Sequence, residues 1–299
     1  MRYLSLFVSL PLLCAPVPVP GTAVSLEQPP GMEAAARFAG FESKTEAASL
    51  MVVELAAPVS GIISGFSDAK RLAAQRMTLD ATEKVKLAGG EASLFAFTQQ
   101  QSGTEYKKLI LAIGDEKKTV LVTGSYELKL AANWDNPIRA SLLSVTLGAP
   151  QPSAAGFRVT PQGTYKLARA MPGSLALTPN GEFPLRDRRG PVYLGSRSLT
   201  PVPVEEPLSA FLETRAKALP GVKEFRVVES KPVMIDGLPG HELTGVANES
   251  APETAQFVYE AVLREADGGY YLLVGLAPND AGAENLPLFR AMSATFNRR

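Results

Sequence analysis

Three residue types that carry much of protein chemistry are nearly missing from this chain. Cysteine, histidine and tryptophan each occur once in 299 residues, as Cys14, His241 and Trp134. A single cysteine closes no disulfide within the chain, and a single histidine leaves it short of the several imidazoles that metal sites usually take. An excess of one charge is missing too, with Lys and Arg together numbering 30 and Asp and Glu together 30. Neither half hides an imbalance behind that neutral total, so no basic field favours nucleic acid or an anionic membrane. No apolar run reaches the ~18 residues that a membrane-spanning helix needs. There is no P-loop, no G-x-G-x-x-G and no G-x-S-x-G elbow; SGIISGF (60–66) has glycines near Ser64 at the wrong spacing. Catalytic, cofactor-binding and metal-binding residues are therefore all expected to be none.

What is present is ordinary globular material, 45% hydrophobic and 20% charged, in a length that suits roughly two domains. The first residues, MRYLSLFVSLPLLCAPVPVPGTA, combine Arg2, an apolar run from Tyr3 to about Ala15, and then prolines. Gly21 and Ala23 put small side chains where a signal peptidase reads, so residues 1–23 are expected to be a leader cut between Ala23 and Val24. Cys14 lies within it, but Leu13 is larger than the residue a lipidation signal wants. The expected product is a periplasmic or secreted protein without cysteine.

The chain also resembles itself. VKLAGGEASLFAFTQ (85–99) overlays VMIDGLPGHELTGVA (233–247) at an offset of 148, with Val85 on Val233, Gly89 on Gly237 and Phe95 on Leu243. SLLSVTL (141–147) overlays RAMSATF (290–296) at 149, with Ser144 on Ser293, which suggests one small indel. The expected layout is a unit at 24–148, a proline-rich linker at 149–156 and a second unit at 157–299. Each unit reads as an early strand, a helix, three strands in hairpin succession and a closing helix. The early strands are ASLMVVELA (48–56) and PVYLGSRSL (191–199). One first helix carries Phe66, Leu72 and Met77; the other carries Leu208, Phe211, Leu212 and Leu219 before Pro220-Gly221. The closing helices are expected near 137–145 and 287–294, and GTYKLARAMPGSLALTPNG (163–181) reads as a hairpin. The fold class is then α+β, two tandem α/β/α sandwiches with mainly antiparallel sheets and flanking helices.

Few residues stand out as candidates for function. His241 reads as a strand-end residue on the face of Leu243, with Glu242 on the opposite face and Ser93 as its repeat partner. Arg186, Arg188 and Arg189 in RDRRG (186–190) form a basic turn suited to an anion or an acidic partner. Trp134 in AANWDNPI reads as a loop residue ahead of a helix that Asp135 or Asn136 caps, with Pro137 at its first position; it is either a lid over the core or an interface anchor. Glu205-Glu206 precedes a helix and suits its positive end. These five residues, Trp134, Arg186, Arg188, Arg189 and His241, make the possible interaction surface.

The turn Gly237-Leu238-Pro239-Gly240, the strand Tyr270–Gly275 and the close Met292–Phe296 resemble the PsbP-like fold of the photosystem II extrinsic subunit and of bacterial exported proteins such as the DcrB family. The resemblance covers most of 185–297 and, more weakly, 45–147. It implies an α/β sandwich whose known members mostly bind or assist other proteins. The function expected is an exported, non-enzymatic binding or assembly protein whose partner is an envelope protein. The alternatives are a carrier of a small apolar ligand or lipid and, less favoured, an envelope hydrolase that pairs His241 with a serine.

Overall fold

The computed structural model describes residues 15–185, 190–199, 207–219 and 221–298. They divide into two units between Ala149 and Pro150, with the short segments 20–22 and 34–40 belonging to the second. The sheet of the first is built from strands β1 (Glu33–Ala34), β2 (Gly40–Glu42), β3 (Ala48–Leu55), β4 (Met77–Leu87), β5 (Gly90–Gln101), β6 (Thr104–Gly114) and β7 (Thr119–Glu127), with Ala34 and Gly40 at the edge of the segment that the division assigns to the second. The first unit's helices are α1 (Val59–Gly65), α2 (Ala69–Ala74) and α3 (Ala131–Leu143). The second contains β8 (Lys166–Met171), β9 (Ser174–Thr178), β10 (Val192–Arg197), β11 (Phe225–Ile235), β12 (Leu238–Ala247), β13 (Gln256–Arg264) and β14 (Tyr270–Pro278), with α4 (Leu208–Lys217) and α5 (Gly282–Ala294).

The strand orders are β1-β2-β3-β7-β6-β5-β4 and β8-β9-β10-β14-β13-β12-β11, one permutation used twice. Each unit also pairs its ends: Val24–Leu26 with Thr146–Leu147, and Phe157–Arg158 with Asn297–Arg298. The duplicated α+β architecture is thus plain in the topology. In the second unit α5 packs on one face of the sheet, over Tyr193, Tyr259, Ala261 and Leu273. Helix α4 packs on the other, over Leu243, Val262, Leu272 and Val274. Strands covered on both faces lose the polar alternation of a half-exposed sheet, and β13 reads QFVYEAVLR accordingly.

Glycine sets the distance between sheet and closing helix. A Cβ on Gly275 would lie 2.4 Å from the Phe289 ring of α5, and one on Gly124 would meet Ile138 of α3 as closely. The two pairs match at an offset of 151, as do the ends of β7 and β14 and of α3 and α5. The single-indel overlay that set Ser144 on Ser293 is therefore corrected. The cross-strand trios Phe95–Ile110–Thr123 and Leu243–Glu260–Val274 correspond, so the drift enters in two turns, between β5 and β6 and between β6 and β7.

Other expectations also need correction. Pro137 and Pro287 do not begin their helices; both lie inside, five or six residues from the start. Burial of the first turn, where Trp134 donates to Glu46 and Asn285 accepts from Tyr165, outweighs the amide each proline lacks. The helix drawn through Phe66, Leu72 and Met77 is two short ones, because the Asp68 carboxylate caps a new start by accepting from the Lys70 and Arg71 amides. Four strands follow the helix instead of three, since β4 and β11 pair along the sheet edges. Residues 17–26, most of which the expected leader would remove, form a hairpin pairing Val17 with Leu26, and Ala23 and Val24 are buried.

Gly275→Ala should lower stability by about 1–3 kcal/mol in denaturant unfolding, because the methyl has no room beneath Phe289. A loss below about 0.5 kcal/mol would contradict the close approach.

Candidate functional site on the second sheet

The turn Asp236-Gly237, with φ of 50° and 70°, has the left-handed pair that a two-residue hairpin needs. It fixes the register of β11 against β12, and that register places Pro232 opposite His241. A bulge between Val227 and Glu229 breaks the register once, and beyond it the pleat sends successive side chains of β11 to alternate faces. Glu229 and Lys231 turn toward α5, while Ser230, Pro232 and Met234 share the other face with Pro239 and His241.

On the α5 face the charges are paired. Glu242, 6% exposed, accepts from Arg290 Nε at 2.8 Å, and Arg290 also donates to Glu229 at 2.6 Å. Tyr259 donates to Ser293 Oγ at 2.8 Å and to Glu242 at 3.3 Å, and the Tyr193 hydroxyl lies 2.8 Å from the same serine. Burial pushes the Tyr193 and Tyr259 phenols well above their usual range. Two hydrogen bonds, from Lys231 and Arg290, hold the Glu229 carboxyl below its own. The network is a satisfied structural one.

The α4 face differs along its length. Helix α4 covers Leu243, Val262 and Val274, but beyond them Ser230, Pro232 and Pro239 are exposed and Met234 is 67% exposed. His241 sits between, half-buried, its Nε2 lying 2.8 Å from Ser230 Oγ, and loss of water holds its pKa below the ordinary imidazole range. The serine that the hydrolase alternative requires is thus within reach of the imidazole. Among the described residues, however, no carboxylate is hydrogen-bonded to the ring. A serine on an edge strand beside an unoriented neutral imidazole lacks both the activated base and the oxyanion donors of acyl transfer.

Glu260 lies one strand away on this same face, between Leu243 and Val274. It is 0% exposed, and neither carboxylate oxygen has a hydrogen-bond partner. Burial pushes its carboxyl up to about 7, against which Arg215 of α4 pulls weakly. Sequence reasoning passed it over, although a lone Glu inside FVYEAVL already places a charge in a strand without a wet face.

Of the residues proposed for an interaction surface, His241 reaches this face. Trp134 is buried, 6% exposed, and its Nε1 donates to Glu46. Arg186, Arg188, Arg189 and the Glu205-Glu206 pair lie outside the described residues. No group of three or more metal-ligating side chains occurs among the described residues, and no described helix is long and apolar enough to cross a membrane. An open cleft of about 670 Å³ near the β11–β12 turn is lined by Pro239, Arg264, Glu265, Asp267 and Arg298. Its charge does not suit the apolar cargo of the carrier alternative.

No family model matches the sequence, and no curated protein does. Similarity to solved structures includes the PsbP-like ones. LpqN of Mycobacterium tuberculosis, involved in cell envelope biogenesis, matches with 9% identity and a TM-score of 0.34 over 47% of this chain and 82% of its own. The cyanobacterial PsbP (CyanoP) of Synechocystis matches with 11% and 0.31 over 49% and 95%. TplEi, an immunity protein of the T6SS from Pseudomonas aeruginosa, matches with 10% and 0.34 over 94% and 96%. Likeness this distant carries no argument about function.

Arg290→Met should cost about 1–3 kcal/mol in denaturant unfolding by leaving buried Glu242 with only Lys231, 3.5 Å away, as its cation; a change under about 0.5 kcal/mol would contradict the network. A fluorophosphonate probe should leave Ser230 unlabelled. Labelling abolished by His241→Ala would revive the hydrolase alternative.

Proposed function

We propose that the chain is an exported, non-enzymatic binding or accessory protein of a cell envelope, and that its second unit meets a protein partner through the uncovered end of the α4 face. The observation that carries this reading is Met234, 67% exposed beside Pro232, Pro239 and the Ser230–His241 pair, on a face whose other end is sealed by α4. Exposed apolar side chains grouped on rigid strands suit recognition by contact. The imidazole among them adds a hydrogen-bonding group that stays neutral at pH 7. Export rests on Arg2 and the apolar run after it, with the leader ending at Ala23. N-terminal sequencing of protein recovered from its own cells should begin at Val24; a chain that still begins at Met1 would remove the export reading.

The surface is tested by placing a photo-crosslinking residue at Met234 in intact cells, with Leu167, also well exposed at 56%, as the control position. The expected result is a discrete protein adduct from position 234 that position 167 does not give. Adducts that are the same at both positions, or absent from 234, would contradict the proposal.

A further inference from the structure

Glu260 differs in kind from the residue at the same place in the first unit. Its counterpart is Ile110, 7% exposed, which pairs with Phe95 as Glu260 pairs with Leu243. Ile110 belongs to an apolar cluster roofed by Val59, Ile63 and Phe66 of the α1 region and Leu72 of α2. In the second unit the corresponding roof is α4, which lowers Leu212 onto Leu243 and Val262. A carboxyl therefore stands where its sister unit has a hydrocarbon, with no donor for either oxygen.

Other polar groups on this layer are placed so as not to help. From α4, Arg215 is exposed, with its guanidinium 5.6 Å from the Phe211 ring, and Glu213 and Lys217 pair with each other at 2.7 Å. From β12, His241 is engaged with Ser230 of β11. From β14, Tyr270 packs its ring on Phe211 with an edge-to-face geometry. Along β13, Arg264 lies at the far end of the strand, past Val262. An ionised Glu260 thus has no partner while α4 stays down. It would gain water, and freedom for Arg215 to approach it, if α4 moved away.

We propose that Glu260 makes α4 a pH-controlled latch, closed while the carboxyl is protonated and released when it ionises. Release bares the apolar layer of Leu243, Val262, Leu272 and Val274 next to the surface around Met234. The sign follows from linkage. A carboxyl that holds its proton more tightly closed than open stabilises the closed state fully below the ordinary Glu range. It loses that contribution as the pH rises toward and through about 7. His241, whose pKa is lowered by loss of water, works with the opposite sign, so it cannot produce a rise in opening with pH.

Hydrogen exchange of the full chain, corrected for intrinsic chemistry and read at residues 208–217, tests the latch. Between pH 5 and pH 7 the opening equilibrium of α4 should rise by several tens-fold, about tenfold per pH unit at most, then level off above pH 8. The rest of the second unit should not follow. Glu260→Ile, which copies the first unit, should remove the pH dependence and leave α4 protected throughout. Glu260→Gln, which cannot ionise, should also give a flat profile and serves if the isoleucine is poorly accommodated. A flat wild-type profile, an unchanged dependence in both variants, or an opening that spreads over the whole unit would each overturn the proposal.

Discussion

The middle strands of the second sheet are roofed by α5 on one face and α4 on the other, and much of the architecture depends on that. A strand with a helix above and below has no wet side, so it must be apolar throughout or must satisfy each polar group it keeps. Strand β14 meets the condition with Leu272, Leu273 and Val274, and β13 meets it with Val258 and Val262 but breaks it at Glu260. Close roofing also dictates Gly124 and Gly275, since the closing helices seat Ile138 and Phe289 where a side chain on the strand would stand. The edge strands obey a different constraint. Strand β11 carries Arg226, Glu229, Lys231 and Pro232, which blunt an edge that would otherwise invite another chain.

Charges admitted to such strands sort the two units. Both repeat the same permutation of strands, but the second holds Glu242 and Glu260 in its buried layers. Glu242 is answered by Arg290 from the helix above it, and the result is structural. Glu260 is answered by nothing. A buried carboxyl without a donor lowers stability whenever it is ionised, so its presence where the other unit has Ile110 marks the second unit as the one that changes state. The uncovered strip around Met234 lies on this same face, which places the variable helix and the exposed contact surface side by side.

Much of this was legible in the residues. The internal overlay marked the duplication and the α+β class. The Gly-rich turns and β-branched runs located the hairpin at 166–178 and the strands β3 and β10. Prolines misled, because Pro137 and Pro287 read as helix starts when tertiary packing of Trp134 and Asn285 carries each helix a further turn. Strands β4 and β11 escaped notice because edge strands alternate polar and apolar residues without a continuous run. The pairing of Ser230 with His241 could not be read locally, since it is made by hairpin register across eleven residues. The Arg290–Glu242 pair spans 48 residues and needs the whole unit folded. Glu260 was visible as an anomaly in FVYEAVL, but its meaning required knowing that both faces of β13 are covered.

Burial holds the Glu260 carboxyl neutral, and the most direct measurement of this is a carbon-13 NMR titration of the side-chain carboxyls, assigned by comparison with Glu260→Gln. One glutamate resonance should titrate near 7 and be missing in the variant. A Glu260 carboxyl that titrates in the ordinary range near 4.5 would contradict it.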